Sequence, residues 1–174
     1  MNAPQNPDPL VPRYAVFVDG SPGPKVKPGF SGWGLALMAG DTAVFQACGT
    51  TVERCTSQAV ELEAVIQGLA FIHRSYTGFI DLYSDSRYTA DSIARLPEYA
   101  QAEWVNYKLK PIANADRLQI LWDYLYNLRL RERVTLRWDK GHAGVAGNEL
   151  ADKLSKKASG EGLNWYDGVD QSGG

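Results

Sequence analysis

The chain has little cysteine, little histidine and no long apolar run, and each shortage removes a class of protein. Two cysteines among 174 residues, Cys48 and Cys55, are too few for a disulfide framework and lack the partners of a zinc site, so both are read as reduced thiols. No apolar stretch approaches the ~20 residues of a membrane-spanning helix, and no membrane partner is expected. The N-terminal MNAPQNPDPLVPR has no basic start followed by an apolar block. It does not read as a secretory signal, and a cytoplasmic location follows. Net charge is also scant, at −2, which taken alone argues against a polyanionic partner. The total hides a pattern. Arg129, Arg131, Arg133, Arg137 and Lys140 crowd one segment, whereas acids gather between Glu161 and Asp170 and at the scattered positions discussed below. Two bound divalent cations would bring the total to +2.

What is present fits one globular domain with tails: 44% apolar and 22% charged residues are ordinary for a soluble protein. Residues 1–12 hold four prolines and little that packs. They are expected to form a disordered leader, 13–159 the domain, and 160–174 a flexible tail. Tyr14 to Val18 is a β-rich apolar run delivering Asp19-Gly20, the pattern of a buried strand with a turn behind it. A Pro- and Gly-rich loop carrying Lys25 and Lys27 follows. The stretches Trp33 to Met38 and Ala43 to Cys48 read as a hairpin.

From Ser57, Leu62, Val65, Ile66 and Leu69 recur at helical spacing, with Glu61 beside that stripe. Phe79 to Tyr83 reads as a second buried strand delivering Ser84-Asp85-Ser86, followed by a short helix to Arg95. A long helix is expected from Asn114 to Leu128, since Leu118, Leu121, Trp122, Leu125 and Leu128 share a face. Val134 to Trp138 is the last expected strand. After GHAGVAG, Asn148 is the expected N-cap of a final helix carrying Glu149 and Asp152. The order predicts an α/β domain with a mixed sheet and helices against it, strand ends and helix starts converging at one edge.

Any one of Asp19, Glu61, Asp85 and Asp152 has a bland reading as a turn-former or cap. Together they do not. Clustered carboxylates repel one another and protonate unless a cation holds them. Carboxylates without His or Cys suit Mg²⁺ or Mn²⁺ rather than zinc. Two such ions about 3.5–4 Å apart activate water and stabilise a leaving phosphodiester oxygen. His142, in a Gly-flanked loop ten residues before Asp152, is either a surface residue or, beside those ions, a group for proton transfer or product release. His73 reads as a charge partner for the end of the first helix.

The strings Asp19-Gly20-Ser21, TSQAVEL around Glu61, Ser84-Asp85-Ser86 and GHAGVAGNELAD ending at Asp152 resemble type 1 ribonuclease H in order and spacing. The last is the most specific, and the match runs from Tyr14 to Ala158. The resemblance implies a ribonuclease H-like fold, a five-stranded mixed sheet flanked by helices. It also implies endonucleolytic hydrolysis of the RNA strand of an RNA–DNA hybrid by a monomer with two Mg²⁺ ions, Mn²⁺ substituting. On the family pattern Asp19, Glu61, Asp85 and Asp152 fall on metal ligands, His142 on a mobile loop histidine, and Glu149 on a supporting acidic position. Arg54 and Thr56 resemble a DNA-phosphate pocket, and Ser57 and Gln58 stand where RNA is contacted, Ser57 through a hydroxyl suited to a 2′-OH.

The resemblance breaks in two places. The stretch Leu96 to Arg117 has three basic against three acidic residues, where bacterial members often carry a strongly basic handle, so electrostatic grip there is expected to be weak. Trp104 in that stretch either stacks on substrate or belongs to the core. The first loop is longer than the compact family form, with Lys25 and Lys27 as replacement charge or simply as solvated residues. Alternatives are a binding module that has lost catalysis, a nuclease for DNA junctions or transposon ends, and a phosphate-loop protein. SPGPKVKPG leads into a strand and lacks a Gly-Lys-Ser/Thr ending, which disfavours the last.

Overall fold

The computed structural model describes residues 14–25, 29–138 and 145–167, apart from the side chains of 166 and 167. The expected strands are β1 (Tyr14–Ser21), β2 (Gly32–Ala39), β3 (Thr42–Thr50), β4 (Ile80–Ser84) and β5 (Val134–Trp138). They form a mixed sheet in the order β5-β4-β1-β2-β3. β1 runs antiparallel to β2 and parallel to β4. Around it lie α1 (Ser57–Ser75), α2 (Arg87–Ala94), α3 (Leu96–Gln101), α4 (Ala115–Trp122) and α5 (Ala146–Glu161). Alternation along β1 divides the core. Val16 and Val18 point to a cluster with Leu62, Val65 and Leu69 of α1 and Leu118 and Leu121 of α4. Phe17 points the other way, to Ala36, Met38 and Ala151 of α5.

Several expectations are corrected. Within the stretch placed in a flexible tail, residues 160 and 161 end α5 and Trp165–Asp167 form a sixth strand, β6, paired antiparallel with β3. Trp165 caps a small apolar cluster under Leu154 and Ala158, which composition alone did not reveal. Phe79 precedes its strand and is 83% exposed, because the β4–β5 ladder begins at Ile80. The long helix starts at Ala115 and ends in a π-helical turn, Asp123–Asn127. That wider turn, closed by Leu128 N–H donating to Asp123 O, rotates the apolar stripe and leaves Leu128 half exposed. Helix α5 starts before Asn148: its N-cap is Val145, with no side-chain cap.

Helix α5 lies on β2 where glycine permits it. A Cβ at Gly34 would stand 2.7 Å from Ser155 N and closer still to Ala151 O, both backbone atoms of α5. Gly34→Ala will therefore push the helix off the sheet, lowering stability by about 1–3 kcal/mol in urea unfolding. It will also weaken any function that depends on residues of α5 meeting residues of β1.

Candidate active site

Each acidic side chain arrives by a separate local device. Asp19 ends the buried run of β1 and shares the face of Phe17, so it points under α5. Its cross-strand partner is Gly34, the residue on which α5 rests. At Gly20 the chain passes α1 so closely that a Cβ would lie 2.6 Å from Val60 O and 2.9 Å from Glu61 N. Helix α1 is fixed there by Thr56, whose hydroxyl accepts from Ala59 N at 3.1 Å. Asp85 follows the end of β4, parallel neighbour of β1, and is held by the cap behind it: Ser86 Oγ accepts from Thr89 N at 3.2 Å.

These devices converge. Asp19, Glu61 and Asp85 each offer a carboxylate oxygen within 4.8 Å of the others. Asp19 is only 7% exposed, whereas Asp85 is open to solvent. Burial pushes the Asp19 carboxyl up to about 7, and the negative charges of Asp85 and Asp152 add to it. Burial likewise pushes Glu61 up to about 9, with Asp19 and Asp85 next in effect. The Gly20 N–H opposes both shifts. Glu61 Oε2 is buried with no hydrogen-bond partner. An orphaned carboxylate oxygen in an acidic cluster is an unfavourable arrangement that a cation relieves. The all-oxygen donor set suits a hard divalent ion, and the residues fit such a group.

Asp152 borders this triad from α5. Its carboxyl lies within hydrogen-bonding reach of Asp19 and also accepts from Lys156 Nζ at 2.8 Å, an exposed pair one helical turn apart. Ser155 and Lys156 were not singled out from the sequence. The signal for the first was the small-residue repeat Gly147, Ala151, Ser155 and Ser159, set against Gly32 and Gly34.

The other expected site residues are distributed unevenly. Thr56, Ser57 and Gln58 are exposed at the start of α1, a turn before Glu61, and Arg54 is exposed beside them with Nε donating to Pro24 O at 3.2 Å. Glu149 is exposed in the first turn of α5. Trp104 packs against the main core, edge-on to Trp122 with ring centroids 6.3 Å apart, which favours the core reading over stacking on substrate. His142, Lys140 and Lys27 lie outside the described residues. Much of the basic segment is engaged locally. Arg129 pairs with Glu132, Arg131 lies over the Tyr126 ring, Arg133 donates to Gly78 O, and Arg137 pairs with Asp81.

Comparisons with known proteins agree on one family. The family profile described as RNase H matches residues 12–160. The ribonuclease H of Erythrobacter litoralis (strain HTCC2594) is 36% identical over 148 residues, covering 84% of this chain and 96% of its own length. That of Dichelobacter nodosus (strain VCS1703A) is 36% identical over 150 residues, covering 84% and 92%. Among solved structures, LC9-RNase H1, a type 1 RNase H with the type 2 active-site motif, superposes with a TM-score of 0.68 at 25% identity, covering 90% of this chain and 76% of that one. The foamy viral protease-reverse transcriptase in complex with RNA/DNA hybrid shares the fold, with a TM-score of 0.72 at 21% identity over 91% of this chain and 22% of its own.

Proposed function

The chain belongs to the ribonuclease H family, and from that premise we propose that it is an endonuclease hydrolysing the RNA strand of RNA–DNA hybrids, with Asp19, Glu61, Asp85 and Asp152 holding two Mg²⁺ ions. The observation that carries the reading is the meeting of Asp19, Glu61 and Asp85 within 4.8 Å around a buried, unpartnered Glu61 oxygen. Bound divalent cations supply Lewis-acid charge that makes water nucleophilic and stabilises the leaving oxygen. The protein's part is placement. Rigid strand ends fix Asp19 and Asp85, the capped start of α1 fixes Glu61, and exposed Asp85 opens the cluster to a phosphodiester.

His142 is assigned proton transfer on the strength of its GHAGVAGNELAD string, and Glu149 a supporting role beside it. Thr56 and Arg54 are assigned to a DNA phosphate, and Ser57 and Gln58 to the RNA strand, supported by their exposure one helical turn before Glu61. Mn²⁺ is expected to substitute for Mg²⁺. The enzyme is taken to act as a cytoplasmic monomer. None of the described helices is long and apolar enough to cross a membrane.

Labelled hybrid, duplex DNA and duplex RNA incubated side by side with Mg²⁺, Mn²⁺ or chelator test the proposal. Cleavage confined to the RNA of the hybrid, and abolished by chelator, is the expected result. Preferential cleavage of duplex DNA would move the chain to a different substrate, and binding without turnover would make it a recognition module.

A further inference from the structure

Where Asp19 pairs with Gly34, α5 sits directly on the glycine, and fully buried Ser155 reaches across with Oγ 3.3 Å from Asp19 Oδ2. One turn further along α5 the arrangement repeats without a carboxylate. Ser21 pairs with Gly32, a Cβ on Gly32 would stand 2.5 Å from Ser159 N, and Ser159 Oγ lies 3.1 Å from Ser21 Oγ. Two strand residues advance about 6.8 Å and four helical residues about 6 Å, so the two rungs pack alike. They differ in what the helix hydroxyl touches.

We infer that Ser155 is a positioning residue for the metal centre, an inference that rests on reading the acidic cluster as one. Its hydroxyl has a single proton and two acceptors in reach, Asp19 Oδ2 and, at 2.9 Å, Asp152 O. It therefore ties the helical turn that carries Asp152 to the carboxylate at the end of β1. Ser155 is 0% exposed, so its hydroxyl has no bulk water to bond instead. The contact to Oδ2 limits the Asp19 side chain to one rotamer at the point where β1 meets α5. A hydrogen bond behind a metal ligand typically changes metal affinity by 10–100-fold.

Calorimetric titration of Mn²⁺ into the unaltered chain, Ser155→Ala and Ser159→Ala tests this, together with the melting temperature of each without metal. Alanine suits a helix interior and removes one atom, so both variants keep the fold. The expected result is a Kd about 10-fold weaker for Ser155→Ala and unchanged for Ser159→Ala, although both lose a buried hydroxyl. A Kd for Ser155→Ala within twofold of the unaltered chain would overturn the inference, as would equal weakening in the two variants, which would point to helix packing instead. Failure of the unaltered chain to bind Mn²⁺ would overturn the metal-centre reading itself, visible before any variant is compared.

Discussion

Asp19→Asn will move activity and stability in opposite directions. Cleavage of a labelled hybrid will fall by on the order of 10³-fold or more, because a cation loses its most buried ligand and with it the charge stabilisation of the reaction. The metal-free protein will become more stable. Asp19 is held at about 7 by burial and by the charges of Asp85 and Asp152, and it in turn raises Glu61. An amide of the same shape removes that repulsion at pH 8 without opening a cavity, a gain of about 1–2 kcal/mol, or roughly 2–8 °C in melting temperature for a chain of this size. A purely structural Asp19 would give the reverse, a less stable variant, so melting curves beside the cleavage assay separate the two.

The second large effect is on the pH dependence of the metal-free fold. Asp19 and Glu61 have folded values near 7 and 9 against ordinary values of 3.8 and 4.5. Between about pH 4 and pH 8 the unfolded chain has released protons that the folded chain retains, so the folded state binds more protons and stability falls as pH rises. A loss of a few kcal/mol, about 5–10 °C in melting temperature, is expected across that window. Saturating Mn²⁺ will cancel it, because the cation replaces the protons. Its stabilising effect will thus be small near pH 5, of order 2–3 kcal/mol at 100-fold excess over Kd near pH 8, and accompanied by proton release. A metal-free protein whose stability rose steadily from pH 4 to pH 8 would contradict the burial and mutual repulsion described for these two groups.

The acids that meet at this centre stood out in the sequence because each sits at the end or along the edge of a periodic apolar pattern. Asp19 and Asp85 end apolar β-runs, and Glu61 rides beside the apolar stripe of α1; local patterning fixes such positions. What was not legible depends on contacts between distant segments. Ser155 reads as an ordinary helical serine until Gly34, far off in sequence, lets α5 settle on β2 opposite Asp19. Strand β6 is three residues long and exists through its pairing with β3, so composition alone marked it as tail. Leu128 misled for a subtler reason: a helical wheel assumes one turn geometry, and the π-helical turn at Asp123–Asn127 changes it. The four arginines from Arg129 to Arg137 crowd one segment of the sequence, and each is engaged with a neighbouring carboxylate, carbonyl or ring.

The chemistry of the acidic centre shows most directly in how the RNA strand is cut. Hydrolysis by water at the acidic centre leaves linear phosphate ends and stops with chelator, whereas attack by the neighbouring 2′-OH would leave a 2′,3′-cyclic phosphate and need no divalent ion. Mass analysis of the RNA fragments from a hybrid cut by the unaltered chain, with Mn²⁺ and with chelator, distinguishes them. Linear ends formed only with Mn²⁺ are the predicted result; cyclic ends, or cutting that persists with chelator, would contradict the role assigned to Asp19, Glu61, Asp85 and Asp152.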